Sequence, residues 1–300
     1  MKCRSNRCVQ ILLASGLLFL VGPPAWADSQ LNNTPPPEQR HRPVDGIMDN
    51  SFLIEEAYNQ EAGIVQHIFN AIYSINRIAE PGEKRVDLLF TQEWPVYGQT
   101  HQFSYTIPYS LVRESGLWSE GLGDVLLNYR YQLFFEEETL RACAPRFSLI
   151  LPTGDRPKGF GNGTTGYQWN VPVSTAIGDN WFAHLNSGLT YVPNAGTGHR
   201  RDLLSFNLGA SAIYCINDRL NLMLEWIANW TAASSALGGV RHEFASVISP
   251  GVRRAFNFNS ETQFVIGLAA PIGLTRDAPD IGAFLYLSFE HRLFGKAEKP

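Results

Sequence analysis

Lysine is nearly missing from the body of this 300-residue chain: after residue 27 only Lys84, Lys158, Lys296 and Lys299 occur, each in a turn, a loop or the tail. Soluble sheet proteins place Lys and Glu on their water-facing strands for solubility and edge protection. A water-exposed sandwich is therefore disfavoured. Charged residues of both signs make up only 17% of the chain and its net charge is -4. With no basic stripe anywhere, nucleic acid is excluded as a partner. No apolar run reaches the roughly 20 residues of a spanning helix. Neither CxxC nor HExxH occurs, so no metal site is expected. Gly161-x-Gly163-x-x-Gly166 superficially matches a dinucleotide fingerprint, but no helix is expected after it and GK[ST] is absent. No nucleotide or other cofactor is expected.

What is present is apolar and aromatic, with 44% hydrophobic and 12% aromatic residues. Lys2, Arg4 and Arg7, the apolar run Val9 to Val21, and Ala25-Trp26-Ala27 read as a signal peptide over residues 1–27. Residues 28–53 are polar and proline-rich, and are expected to form a flexible leader. Cys3 and Cys8 would leave with the signal, whereas Cys143 and Cys215 fall on differing strand faces and are expected to stay thiols.

In "GLGDVLLNYRYQLFFEEE" (121–138) the side chains alternate from Val125 onward: Val125, Leu127, Tyr129, Tyr131 and Leu133 share one face, Asn128, Arg130 and Gln132 the other. The same period recurs in about twelve segments, near 64–76, 84–95, 101–110, 123–135, 140–152, 167–178, 181–192, 202–215, 219–231, 242–256, 260–272 and 281–294. The segment at 242–256 is the least regular, since Arg253 and Arg254 must face opposite sides. Short turns ("EEET", "GDN", "NDR", "NFNSE") alternate with longer links at 111–121, 153–166, 193–201, 232–241 and 273–280. Polar faces hold mostly Asn, Gln, Ser, Thr and Gly, a lumen composition. Aromatics such as Trp94, Phe134, Phe135, Trp181, Tyr214 and Trp230 gather at strand ends. The expected fold is all-β: an antiparallel transmembrane β-barrel over 54–294 with its apolar face on outer-membrane lipid and a periplasmic tail at 295–300. Such a chain relies on the barrel-assembly machinery of a Gram-negative bacterium.

"IEEAYNQEAGIVQHI" (54–68), "GLGDVLLNYRYQL" (121–133) and "LILPTGD" (149–155) resemble the pattern of a family of Gram-negative outer-membrane proteins named for the MetA pathway of phenol degradation. The resemblance spans about Ile54 to Phe294 and implies an outer-membrane transporter for aromatic or other small organic solutes.

Among inward residues, Arg130 and Arg146 should stand level across the "EEET" hairpin. Two guanidiniums in a narrow lumen would select anionic or hydrogen-bond-accepting solutes, or else form a structural ladder neutralised by Asp87, Glu93, Glu225 or Glu290. Asn128, Gln132, Gln168, Asn170, His184, Asn186 and Asn207 should line the wall nearby, and His67 and His291 should meet at the barrel seam. Asp155, Arg156 and Lys158, on the glycine-rich loop, are candidate gate charges. These features point to a passive channel for a small-molecule solute and to no catalytic residue. The alternatives are a structural barrel with a plugged lumen, or a lipid hydrolase with an outward Ser/His pair.

Overall fold

A computed structural model describes residues 51–77, 82–196, 200–235, 239–259 and 262–293. The expected signal peptide, the leader up to residue 50, Phe294 and the tail lie outside the described residues. The strands are β1 (Ile64–Asn76), β2 (Glu83–Val96), β3 (His101–Glu114), β4 (Leu117–Leu122), β5 (Leu126–Tyr131), β6 (Phe134–Glu136), β7 (Arg141–Cys143) and β8 (Arg146–Ile150). They continue as β9 (Gly166–Ile177), β10 (Trp181–Ala195), β11 (Arg201–Asn217), β12 (Leu220–Ser235), β13 (Gly239–Asn259), β14 (Thr262–Ala269), β15 (Ile272–Gly273) and β16 (Ile281–Arg292).

β4–β6, β7–β8 and β14–β15 each continue one stave through a break, so the result is a closed antiparallel barrel of 12 strands. Closure runs through the first and last strands, from Ile64↔Arg292 to Ile75↔Ile281. In hydrocarbon an unpaired backbone group costs several kcal/mol, so a sheet can span only when it has no edge.

The pleat sorts side chains as the alternation requires. Leu127, Trp169, Phe206, Leu222 and Leu268 are exposed on the outer face, while Asn128, Arg130, Asn170 and Glu225 are buried inside. Adjacent residues on β10 decide the direction: Leu185 is 61% exposed and His184 is 0% exposed. The greasy face therefore looks outward. Trp181 and Tyr214 pair at 4.9 Å between ring centroids, as do Trp230 and Phe244. Phe135 departs from the expected girdle and meets Tyr58 edge-on at 6.0 Å inside.

The doubtful segment is continuous strand throughout β13. Arg253 points inward and is buried, whereas Arg254 lies outside over the Phe256 ring, 5.4 Å from its centroid, near the strand's end. An arginine there can lay its stem on apolar surface and carry its head to the interface. Residues 111–121, expected as a link, are mostly ladder, since β3 pairs with β4 from Tyr109↔Leu122 to Glu114↔Leu117. Hydrogen bonding between strands continues past the apolar belt, where hydropathy no longer alternates.

The interior is not wet throughout. Phe182, Ile213, Met223, Ala255, Val265 and Phe284 form an apolar cluster facing inward from β10–β14 and β16. Against it lies Phe52, counted with the leader in the sequence, because the residues before β1 run inside the barrel. The chain reverses into β1 at a tight turn in which Ile64 N donates to the Glu61 carbonyl at 3.0 Å.

Leu208 stands on the outer face midway along β11. Leu208→Arg is expected to cost about 2–4 kcal/mol of folding free energy in bilayers, checked by urea unfolding in lipid vesicles.

Candidate functional site

Arg130 on β5 and Arg146 on β8 are directly paired in register. Two cations so close inside a barrel require a counter-charge, and it comes from outside the wall. Glu55, on the segment preceding β1, places one carboxylate oxygen 2.8 Å from Arg146 Nε and the other 3.4 Å from Arg130 Nη1. Of the wall carboxylates expected to neutralise the pair, Glu93 borders the same cavity as both arginines and supplies a further negative charge near Arg130, while Glu225 is directed at the backbone of this segment and Asp87 at Arg85 and Ser110. Asn170 Nδ2 donates to the same Glu55 carboxylate at 2.6 Å, and Asn186 Nδ2 to the Glu55 carbonyl at 3.4 Å.

Both guanidiniums are engaged around their whole fork. Arg130 donates from Nε to Asn59 Oδ1 at 2.8 Å, from Nη1 to the Glu56 carbonyl at 3.1 Å and from Nη2 to the Tyr58 carbonyl at 2.7 Å. Arg146 donates to Asn128 Oδ1 at 2.9 Å, to Gln168 Oε1 at 3.0 Å and to the Ser148 hydroxyl. The segment's own backbone is met by wall side chains. Glu225 accepts from the amides of Phe52 and Leu53, each at 2.9 Å. Ser174 Oγ accepts from Ala57 N at 2.8 Å and contacts His184 Nδ1 at 2.7 Å. Gln132 works as a strand would, accepting from Asn59 N at 3.0 Å and donating to the Ala57 carbonyl at 2.7 Å. Gln102 accepts from Gln60 N at 2.7 Å. An irregular peptide tolerates burial only when its amides and carbonyls find partners; here the wall supplies them.

Apolar packing holds the other end of the segment. Phe52 stacks on Phe284 with centroids 5.3 Å apart and tilts against Tyr286 at 5.2 Å. The recess exists because the wall carries glycine there: a Cβ at Gly267 would collide with the Phe52 ring, and one at Gly209 with Ile54. Residues 51–60 thus form a plug, and Asn128, Arg130, Gln132, Arg146, Gln168, Asn170, His184, Asn186 and Asn207 either touch it or touch a residue that does. A plugged lumen was one expectation, but the plug's identity as residues 51–60 was not, since this segment carries no strand period. Inward glycines in otherwise bulky strands were the available signal.

Between the plug and the loops lies a cavity of about 600 Å³, with Glu55 and Glu56 at its base and Asn70, Thr91, Gln168, Thr190, Asn207 and Asn229 on its walls. A second cavity of about 480 Å³ lies under the glycine-rich loop, lined by Arg85, Asp87, Ser110, Phe160 and Asn162. The candidate gate charges line neither. Lys158 pairs with Asp155 at 2.9 Å, and Arg156 donates to the Gly196 carbonyl of the next loop. Asp124 ties the loop down, accepting from Gly154 N at 2.9 Å and Asn162 N at 2.8 Å.

His67 and His291 do meet at the β1–β16 seam, with their Nε2 atoms 3.1 Å apart and rings stacked at 5.3 Å. Among the described residues no group of three or more His, Cys, Asp or Glu is placed to hold a metal ion. The Ser174–His184 pair is buried inside the barrel beneath the plug, away from the lipid face on which a lipid hydrolase would need it.

No family model matches this chain, and no curated protein matches it. Among solved structures, the NanC porin aligns at 9% identity over 75% of this chain and 100% of its own, with a TM-score of 0.43. The β-domain of the Bordetella autotransporter BrkA aligns at 11% over 78% and 100%, with a TM-score of 0.47. The transport unit of the autotransporter AIDA-I from Escherichia coli gives 10%, 85%, 100% and 0.45. At these scores the likenesses carry no argument about function.

Removing one partner from a buried ion pair typically costs about 3–5 kcal/mol because the other charge is stranded. Glu55→Gln is therefore expected to speed hydrogen exchange at the amides of Phe52, Ala57 and Asn59 by at least about a hundredfold, with the β10–β13 amides unchanged, as read by exchange mass spectrometry.

Proposed function

We propose that this protein is a passive outer-membrane channel for small organic solutes, closed from the periplasmic side by its own residues 51–60. In this reading the end carrying the strand termini Ile64 and Arg292 faces the periplasm, and the loop between β8 and β9 faces outward. The observation that carries it is a polar-walled cavity of about 600 Å³ whose floor is a peptide held only by noncovalent bonds. Each plug hydrogen bond is worth about 0.5–1.5 kcal/mol net, or about 1.5–3 kcal/mol where a charged group takes part, so release of the segment is a conformational equilibrium and needs no nucleotide or cofactor.

The exposed apolar outer face gives the chain its lipid partner, and a leading signal peptide with help from the assembly machinery would deliver it there. The resemblance of three sequence motifs to those of the MetA-pathway family supports a role in uptake of small organic compounds. A second reading, a structural barrel with a permanent plug, draws on the number of bonds converging on Glu55 and Asn59. Conductance separates the two.

In planar bilayers the refolded protein is expected to show rare openings, and Glu55→Gln or Arg130→Glu to raise the open fraction at least about tenfold. A disulfide between Ala57→Cys and Ser174→Cys, in a Cys143→Ser background, should abolish the steps until it is reduced. If the plug-weakened variants stay silent, the permanent plug is the correct description.

A further inference from the structure

The cavity above the plug has a wall chemistry that selects among solutes. At one level, Asn170, Gly188, Asn207 and Asn229 stand in register across β9, β10, β11 and β12. Gly188 has no side chain, and the Asn170 and Asn207 carboxamides converge over it. Asn207 Nδ2 donates to Asn186 Oδ1 at 3.2 Å, extending the row. At the next level Gln168, Thr190 and Ser205 are in register. Asn70, on β1 six staves away from β10, completes the cavity's opposite wall, and its Oδ1 is shielded from solvent with no hydrogen-bond partner.

The charges of the site do not recruit an anion. Arg130 and Arg146 direct their fork nitrogens at Glu55 and at neutral acceptors of the protein, while Glu56 and Glu93 also border the cavity. Nor is there a vacant aromatic face: Phe52 is stacked on Phe284 and Tyr286, and Phe206 lies on the exposed outer side. A carboxamide, by contrast, offers a donor and an acceptor in one plane, and a hydroxyl gives and takes one bond each. Rows of both match the alternating donor and acceptor demand of vicinal hydroxyl groups. Among the described residues Asn70 Oδ1 has no partner, so a solute hydroxyl would satisfy it and a solute lacking one would leave it unpaired. The volume falls within the range of about 300–1,000 Å³ typical of small-molecule sites.

We infer that this cavity is a binding site for a neutral polyhydroxylated solute, of the size of a mono- or disaccharide, held by the Asn170–Asn207–Asn229 row and by Asn70. The inference rests on the channel reading for its role but concerns the closed barrel, so binding can be tested without any opening. Full-length protein in detergent is titrated with maltose, glucose, phenol and benzoate by saturation-transfer NMR and calorimetry. Saturable binding of maltose or glucose is expected, with phenol and benzoate failing to compete.

Asn207→Leu combined with Asn229→Leu should weaken sugar binding at least about tenfold, and Asn229→Ser, a gentler change, should weaken it less. Binding of phenol or benzoate in place of sugar overturns the assignment of solute class. Sugar affinity unchanged in Asn229→Ser and in the double variant removes the carboxamide row from the account. If no probe binds while Glu55→Gln conducts, the sugar site falls and the channel stands. If no probe binds and no variant conducts, both fall.

Discussion

Everything in this molecule follows from the cost of an unpaired peptide group in hydrocarbon. A sheet surrounded by lipid has no water to satisfy its edges, and the only arrangement that leaves none is a ring. The ladder between β1 and β16 makes that ring. Once it is closed, the two faces of every strand acquire opposite solvents, and residues such as Leu185 and His184, adjacent in sequence, answer to lipid and to the interior respectively.

Closure creates a second problem, the filling of a narrow cylinder. The protein solves it in two ways on its two sides. Along β10–β14 and β16 an apolar cluster fills space as a soluble core would, and Phe52 completes it. Along β3, β5, β8 and β9 the wall is polar and charged, and Arg130 with Arg146 would repel one another without Glu55 between them. The plug therefore has an apolar end and an ionic centre matching the two halves of the wall.

The lipid-facing pattern was readable from sequence because side-chain direction in a strand has period 2, and one solvent on each face makes that period visible. The level pairing of Arg130 and Arg146 was readable too, since the tight "EEET" turn leaves little freedom of register. Glu55 was not, because a peptide held by side chains rather than by a ladder has no period, and its partners are scattered from Gln66 to Tyr286. Asn128, Gln132, Gln168, Asn170, His184 and Asn186 were selected as inward and polar, and inward they are. What they face is chiefly peptide, where the sequence suggested water. Hydropathy could not show it, since a carboxamide waiting for a backbone amide and one waiting for solvent have the same composition. The inner aromatic Phe135 and the ladder over 111–121 were hidden for related reasons: both depend on partners distant in the chain or on pairing in water.

The plug is joined to the first strand by the short turn at Glu61 to Ile64. A peptide anchored so closely to its own receptor behaves as an intramolecular ligand at an effective concentration in the millimolar range or above. Any solute that shares its contacts competes against that local excess, so free peptide with the sequence of residues 51–60 would be a poor inhibitor of a barrel that already carries its own copy.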